Sequence, residues 1–210
     1  MRPEEKKTAG CALVERLITE PPLILGSGSP RRARILRELG IEPIVDPPGI
    51  PEDAMDGEGP EEHVARLARE KALSVSRRHA TGTVVAADTI VLLEGRILGK
   101  PAGPPDAVRL LRMLRGRRHD VFTGVSVARC SDGTVEAGVE RTRVAMRDLT
   151  DEEIGLYVEG GEPLDKAGAY GIQDCGAAVV SAVDGCFYNV VGLPVVLLCE
   201  LLGRLSTEPR

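Results

Sequence analysis

The sequence predicts an α/β fold in which a sheet of mixed strand direction is flanked by helices. Apolar, β-branched runs of strand length alternate with stretches in which apolar residues recur at helical spacing. A hairpin pattern joins His119–Arg129 to Thr134–Val144 through the turn residues at 131–133. Because interleaved helices and strands favour parallel neighbours and a hairpin requires antiparallel ones, we expect a mixed sheet.

The first 78 residues carry three helical patterns, two short strands and a long loop. Ser29 and Pro30 suit the start of a helix that continues through the apolar residues Ile35, Leu36 and Leu39. The stretch 46–59 is rich in proline, glycine and acidic residues, which predicts a long loop. In order, we expect a helix at 11–19, a strand at 23–25, a helix at 31–39, a strand at 41–45 and a helix at 60–78.

The remaining elements follow from β-branched runs, turn residues and capping signals. Asp88 and Thr89 separate two apolar runs of strand length, and Glu94 begins a turn before the next strand. Thr150 and Glu153 form a capping box at the start of a helix. We expect strands at 83–87, 90–93, 97–98, 119–129, 134–144 and 177–183, and helices at 106–114, 150–158 and 193–205.

Composition disfavours several classes of function. The 210 residues are 42% hydrophobic, which suffices for the core of one domain. The chain has no Trp, two Phe and three Tyr, so base stacking on single-stranded nucleic acid is disfavoured. The net charge of −5 argues against binding to nucleic acid or to an anionic membrane.

Targeting signals and cysteine spacing bear on the compartment. Residues 1–22 are charged and fit neither a secretory signal nor a transit peptide. No apolar stretch approaches the roughly 20 residues that span a bilayer. The five cysteines are widely spaced and contain no CxxC pair, which argues against a zinc site and a disulfide framework. We therefore expect a cytoplasmic protein with no nucleic-acid or membrane partner.

The segment Gly26–Arg32, with the sequence GSGSPRR, lies between a predicted strand and a predicted helix. Small residues let backbone N–H groups approach a ligand, and the hydroxyls of Ser27 and Ser29 can donate. Arg31 and Arg32 add forked donors that match phosphate oxygens beside a helix N-terminus. The segment is neither a P-loop nor a GxGxxG loop. Taken alone, it fits a phosphate cradle and a tight Gly/Ser turn with surface arginines equally well.

Lys71 and Asp88 are charged residues in apolar surroundings. Lys71 follows Val64 by seven residues, so it shares the apolar face of the helix at 60–78. A phosphate chain would supply the counter-charge that such an ammonium needs, and snorkelling to the helix edge is the alternative. Asp88 ends the strand predicted at 83–87, where it could hold a metal or activate water; an Asx-turn is the alternative.

Two loops carry further polar candidates. Lys100, between Gly99 and Pro101, fits a solvated turn when it is considered alone. The loop that begins at Glu162 contains Asp165 and Lys166, and a solvated charged loop is again the alternative. Gln173 follows, and its amide could recognise a base edge because it both donates and accepts hydrogen bonds.

Taken together, these segments resemble the Maf family of nucleoside triphosphate pyrophosphatases. Each segment alone is a weak signal, whereas their common order along nearly the whole chain is specific. The resemblance implies a two-lobed α/β domain at residues 23–210, similar in fold to the inosine-triphosphate pyrophosphatases, after an N-terminal extension at residues 1–22. The matching segments are Gly26–Arg32, Arg69–Ala72, Ala86–Val91, Gly99–Pro101, Phe122–Val125, Glu162–Gln173 and Asn189–Pro194.

The resemblance also implies a reaction and the residues that perform it. A homodimer would hydrolyse a nucleoside triphosphate between its α and β phosphates, with Mg²⁺ or Mn²⁺ as cofactor, and release a monophosphate and pyrophosphate. By motif, the phosphate ligands would be Ser29 and Arg31, the neutralising cations Lys71 and Lys100, and the metal-holding carboxylates Glu52 and Asp88, with Asp88 as the proton acceptor.

Three positions indicate a branch within the family. Arg32, Thr89 and Gln173 match the branch that is similar to dTTP/UTP pyrophosphatases, rather than the branch that acts on 7-methyl-GTP. Asp165 and Lys166 are further candidates for substrate binding. Two other functions stay open at this point: a pyrophosphatase for modified or non-canonical nucleotides, and a non-catalytic, nucleotide-sensing regulator of cell division.

Overall fold

Seven strands form one mixed sheet in the computed structural model, which describes residues 12–207. The sheet order is β2-β1-β3-β5-β6-β7, with β4 also paired to β3; β1 runs parallel to β2 and β3, and the other pairs are antiparallel. The predicted mixed α/β class is confirmed. The strands are β1 (Leu23–Leu25), β2 (Ile44–Val45), β3 (Thr83–Leu93), β4 (Arg96–Leu98), β5 (Arg118–Arg129), β6 (Val135–Met146) and β7 (Val180–Asp184).

Helices cover both faces of the sheet because the side chains of β3 alternate between two apolar environments. Val84 and Ala86 pack with Ala72 and Val75 of one helix, whereas Val85 belongs to the cluster on the opposite face. The helices are α1 (Ala12–Glu15), α2 (Pro30–Glu38), α3 (Pro60–Ser76), α4 (Pro104–Leu114), α5 (Asp151–Glu159), α6 (Phe187–Val191) and α7 (Val195–Thr207), and 3-10 helices lie at Glu162–Asp165, Ala167–Ala169 and Asp174–Ala178. None of the helices within residues 12–207 combines the length and the apolar character that crossing a bilayer requires.

Several predicted elements differ from the observed ones. β3 is continuous because β5 pairs with it from Thr83 to Leu92, so the break predicted at Asp88 and Thr89 is wrong and Asp88 lies inside the strand. The strand predicted at 41–45 shortens to β2, since Pro43 has no N–H to donate to a ladder. The short helix α6 was not predicted, and the strand predicted at 177–183 begins only at residue 180.

Residues 12–22 pack against the sheet and its helices. Val14 of α1 is buried in the same cluster as α2 and α7. The Glu20 carboxylate accepts hydrogen bonds from the Gly82 N–H and the Ser131 hydroxyl. The backbone carbonyl of Glu20 accepts a hydrogen bond from the Thr83 hydroxyl. The described part of the predicted extension thus packs on the core. The helix predicted at 11–19 is reduced to α1, and Cys11 lies outside the described residues.

The sheet leaves a gap beside the middle of β3. β1 pairs with β3 only as far as Val85, and β4 begins to pair at Val91. Between these points, residues 86–90 pair with β5 alone among the described strands. Asp88 and Thr89 lie in this gap, so a ligand can approach them from the unpaired side of the strand.

Gly124 lets α3 approach the sheet beside this gap. It is the cross-strand partner of Asp88, and a Cβ built on it would lie 2.1 Å from the Val64 carbonyl oxygen. We expect Gly124→Ala to lower the free energy of unfolding by about 3 kcal/mol, because helix and strand would have to separate. Urea unfolding measures this loss.

Gly155→Ala in α5 is the matched control. A Cβ at Gly155 would meet nothing within 4 Å, so alanine should raise the stability by about 0.5–1 kcal/mol through its better helix propensity. A Gly124→Ala protein as stable as the parent would contradict the close packing of α3 on β5.

His119 is a buried, neutral imidazole in β5. It is 3% exposed, and its Nε2 lies 2.6 Å from the Tyr170 hydroxyl. Its Nδ1 makes no hydrogen bond to any part of the chain that the structure describes. Burial lowers the pKa of His119 from 6.5 to about 4, so the folded protein binds this proton less readily than the unfolded chain does.

We therefore expect the free energy of unfolding to decrease as the pH falls from 6.5 towards 4. The contribution of His119 is fully present above pH 6.5, and its loss amounts to about 3 kcal/mol once the pH is below both pKa values. Urea unfolding at several pH values across this interval measures the decrease. A His119→Gln protein lacks this titrating group, so its free energy of unfolding should decrease less over the same pH interval. Identical pH dependences of stability for the two proteins would contradict the prediction.

Candidate functional site

A cleft of about 700 Å³ opens at the gap beside β3. The loop before α2 forms one wall, α3 and β3 contribute the floor, and the 3-10 segments after α5 form the opposite wall. The structure brings every candidate site residue of the sequence analysis to this cleft. These residues are Ser29, Arg31, Arg32, Glu52, Lys71, Asp88, Thr89, Lys100, Asp165, Lys166 and Gln173.

Lys71 is the centre of a charged cluster on the cleft floor. The residue is 4% exposed, and its Nζ lies 2.6 Å from Glu52 Oε1 and 2.7 Å from Asp88 Oδ1. The snorkelling alternative is therefore wrong. The counter-charge that the sequence suggested a phosphate would provide comes from two carboxylates of the protein.

Glu52 enters the cleft from the loop between β2 and α3. Partial burial raises the pKa of its carboxyl group, but the hydrogen bond and charge of Lys71, with the nearby charges of Lys100 and Arg32, outweigh burial and leave the pKa below its usual value. Glu52 is thus ionised at neutral pH. Lys100 is exposed on the cleft and is close enough to contribute to this field.

The loop before α2 is organised by a serine hydroxyl. Ser27 Oγ accepts hydrogen bonds from the Ser29 N–H at 3.2 Å and from Nη1 of Arg32 at 2.9 Å. Ser29 is the N-cap residue of α2 and Pro30 lies in the first turn, as predicted. The Ser29 side chain forms no capping hydrogen bond, so the helix does not consume its hydroxyl.

Arg31 reaches across the cleft to the opposite wall. Its Nη1 lies 2.6 Å from Asp165 Oδ2, while Lys166 Nζ lies 2.8 Å from the other oxygen of the same carboxylate. Partial burial raises the pKa of Asp165, but these two cationic partners outweigh it and lower the pKa. The predicted phosphate ligand is therefore paired with a protein anion.

Arg32 is bound by protein groups on three sides. Nε donates to the Gly192 carbonyl at 2.8 Å, Nη1 to the Ala87 carbonyl at 2.8 Å in addition to Ser27, and Nη2 to the Thr89 hydroxyl at 3.0 Å. Four of the five guanidinium N–H groups are thus used within the protein. Burial lowers the pKa of Arg32, against the opposing charge of Asp88. Arg32 ties together three segments that line the cleft.

A buried ladder of polar side chains continues from Thr89 into the sheet. The Thr89 hydroxyl lies 3.0 Å from that of Thr123, which donates to the Asn189 carbonyl. Asn189 Nδ2 donates to the Thr142 hydroxyl at 2.9 Å. Thr123, Thr142 and Asn189 were not among the predicted site residues. Thr123 and Asn189 do lie in two of the segments that carry the family resemblance, which was the signal that could have found them.

Tyr157 of α5 is a second residue that the sequence analysis missed. Its hydroxyl donates to Glu162 Oε1 at 3.1 Å and accepts the Gly171 N–H at 3.2 Å, while Glu162 Oε2 accepts the Cys175 N–H. These bonds fix both ends of the short loop that carries Gln173. Tyr157 occupies an ordinary apolar position of a helix, so the sequence contained no signal for this contact.

Glu52 and Asp88 are the residues that could hold a divalent metal. One oxygen of each carboxylate contacts the same nitrogen of Lys71, so these oxygens lie within two hydrogen-bond lengths of each other. Within residues 12–207, no group of three or more His, Cys, Asp or Glu side chains is arranged as a metal site. Mg²⁺ is commonly held by one or two carboxylates together with substrate phosphates and waters, which this pair fits.

The sequence of this chain is similar to those of several named proteins. A protein from Dictyoglomus thermophilum named dTTP/UTP pyrophosphatase is 45% identical over 186 residues, which cover 88% of this chain and 96% of the relative. A protein of the same name from Moorella thermoacetica is 46% identical over 186 residues, which cover 89% of this chain and 96% of the relative. Another from Halalkalibacterium halodurans is 47% identical over 174 residues, which cover 83% of this chain and 90% of the relative. The family model for Maf-like proteins matches residues 22–205, a range that contains every candidate site residue. The chain therefore belongs to the Maf family.

Proposed function

We propose that this protein hydrolyses nucleoside triphosphates, with dTTP and UTP as the preferred substrates, to a nucleoside monophosphate and pyrophosphate. The observation that carries the proposal is the buried Lys71 between Glu52 and Asp88 on the floor of a cation-lined cleft. The name shared by the relatives supports the same substrates and the same bond.

The cationic groups of the cleft bind the triphosphate. The Ser29 hydroxyl and the first turn of α2 donate to phosphate oxygens, and Lys100 neutralises the chain from the opposite side. Arg31 exchanges its Asp165 partner for a phosphate oxygen, while Lys166 continues to neutralise Asp165. Positive charges placed before the reaction stabilise the additional negative charge that develops on the pyrophosphate leaving group.

Asp88 accepts the proton of the attacking water. Its carboxylate is buried and held by Lys71, so it has a fixed orientation toward the cleft. A positioned general base typically contributes about 10²–10⁴-fold to the rate. Lys71 also keeps the two carboxylates together against their mutual repulsion.

We further propose that Glu52 and Asp88 hold Mg²⁺ or Mn²⁺ as the cofactor. When bound, such an ion neutralises phosphate oxygens and makes a coordinated water more acidic. The pairing of both carboxylates with one ammonium supports the proposal, because it holds two oxygen donors close together at the cleft floor.

Base recognition is assigned to the wall opposite α2. The Gln173 amide, on the loop that Tyr157 and Glu162 hold, offers a donor and an acceptor to a pyrimidine edge. Arg32 and Thr89 line the same cleft and are held there by their mutual hydrogen bond. The homodimer, the cytoplasmic location, the absence of nucleic-acid and membrane partners, and the division of the chain at residue 22 stay predictions.

A product assay tests the reaction and separates it from the alternatives. The protein is incubated with Mg²⁺ and a panel of canonical and modified nucleoside triphosphates at equal concentrations, and pyrophosphate and orthophosphate are quantified. We expect one pyrophosphate per monophosphate, with the fastest turnover for dTTP and UTP. Orthophosphate as the first product would contradict cleavage between the α and β phosphates. Tight binding without turnover would identify a nucleotide sensor, and faster turnover of modified nucleotides would overturn the proposed substrates.

Asp88→Asn tests the proton acceptor. We expect turnover of dTTP to fall about 10²–10⁴-fold, because an amide cannot take the proton of water, while nucleotide binding measured by calorimetry persists. Asp184→Asn, at the exposed end of β7, is the control and should keep normal turnover. Near-normal turnover of Asp88→Asn would contradict the assigned role.

A further inference from the structure

One side of α3 carries polar residues at every fourth position, which places them on a single stripe of the helix. We call Arg66, Glu70 and Ser74 of α3, together with Arg78 in the turn that follows the helix, the polar stripe of α3. Near the end of the helix, Ser74 donates to the Pro48 carbonyl, and Arg78 pairs with Asp46 at 2.8 Å. The stripe therefore holds the start of the loop at 46–59, the loop that carries Glu52.

Arg66 holds the second half of the same loop. Its Nε and Nη2 contact the two carboxylate oxygens of Glu58 at 2.6 and 2.8 Å, and Nη2 also donates to the Asp53 carbonyl at 3.0 Å. Glu70, one turn further along α3, accepts a hydrogen bond from Nη1. A planar guanidinium can satisfy these acceptors together, which a lysine ammonium on its flexible stem cannot do with the same geometry.

Glu58 is an unusually buried anchor for an exposed loop. Its side chain is 8% exposed, whereas residues 51–57 are all exposed. Besides Arg66, it accepts hydrogen bonds from the Met55 N–H and contacts the His63 ring at 2.9 Å. The hydrogen bonds of Arg66 lower the pKa of Glu58 to about 2, so the anchor stays ionised.

Glu52 depends on this attachment for its position. Its side chain is 54% exposed, and within residues 12–207 its one hydrogen-bond or ion-pair partner is Lys71. The next residue in the chain, Asp53, has its carbonyl held by Arg66. Without that bond, the next backbone hydrogen bond on the C-terminal side of Glu52, within the part of the chain that the structure describes, is the one from the Met55 N–H.

We propose that Arg66 is a positioning residue that keeps the Glu52 carboxylate in the cleft by holding the Asp53 carbonyl and the Glu58 carboxylate. Arg66 does not line the cleft, so its effect on the reaction passes through Glu52. The inference rests on the proposed function for its catalytic consequence. Its structural part, the restraint of residues 52–55, stands independently of the reaction.

A double-mutant cycle tests the catalytic consequence. We compare the parent with Arg66→Gln, Glu52→Gln and the double variant, and measure kcat and KM for dTTP over a series of Mg²⁺ concentrations. We expect Arg66→Gln to lower kcat roughly 10–100-fold and to raise the Mg²⁺ concentration at half-maximal rate, as outer partners of metal ligands do. The double variant should be no slower than Glu52→Gln, because Arg66 has no effect once Glu52 is removed.

Two controls separate positioning from a general loss of structure. Arg78→Gln removes the ion pair with Asp46 and the hydrogen bond to the Pro47 carbonyl, both at the start of the loop. This variant should change kcat much less than Arg66→Gln. Arg66→Lys keeps the charge and should recover part of the lost rate. A double variant that is slower than Glu52→Gln by the full Arg66→Gln factor would overturn the proposal.

Hydrogen exchange supplies a readout that does not depend on activity. In Arg66→Gln, we expect faster amide exchange in the peptide that contains residues 52–58 and unchanged exchange in β3 and β5. Unchanged exchange in that peptide would overturn the positioning role even if the rate fell. If the parent hydrolysed no triphosphate, the proposed function would fail, while the exchange experiment would still decide whether Arg66 restrains the loop.

Discussion

A lysine ammonium buried between two carboxylates is the interaction on which the cleft depends. Transferring an ammonium from water into a protein interior is costly unless opposite charges and hydrogen bonds accompany it. Lys71 meets this requirement with partners from two different segments, the Glu52 loop and β3. Once both contacts form, the helix, the strand and the loop have a fixed relative position. Loss of Lys71 would leave two neighbouring carboxylates without their shared cation, which is why the arrangement is expected to be rigid.

Strand β3 presents Asp88 on the face that packs against α3 and Thr89 on the opposite face. Asp88 points toward α3, and its cross-strand neighbour Gly124 has no side chain that would keep the helix away. Thr89 contacts Arg32, whose other donors reach the loop before α2 and the Gly192 carbonyl. Because β3 lacks a neighbour on one side at this point, both side chains reach a common opening.

The cleft contains two kinds of cation. Lys71 is buried and its ion pairs cannot be exchanged for water without a large penalty. The Arg31–Asp165 pair is partly exposed, with side chains 27% and 56% accessible, and such pairs contribute at most about 1 kcal/mol. A phosphate can therefore replace Asp165 at Arg31 at little cost, while the charged floor stays in place. Arg66 and Glu58 lie outside the cleft and hold the loop that carries Glu52, so they contribute to the part of the site that stays in place.

The sequence by itself determined the fold class, most of the elements and eleven of the residues that line the cleft. Helical and strand periodicity is local, and the family motifs occur in a characteristic order. Only the tertiary structure decided that Asp88 lies inside a strand, that the partners of Lys71 are protein carboxylates, and that Arg32 is bound by protein groups. Each depends on distances between segments far apart in the chain. Periodicity cannot specify such distances, because the packing of α3 on the sheet and the route of the exposed loop set them.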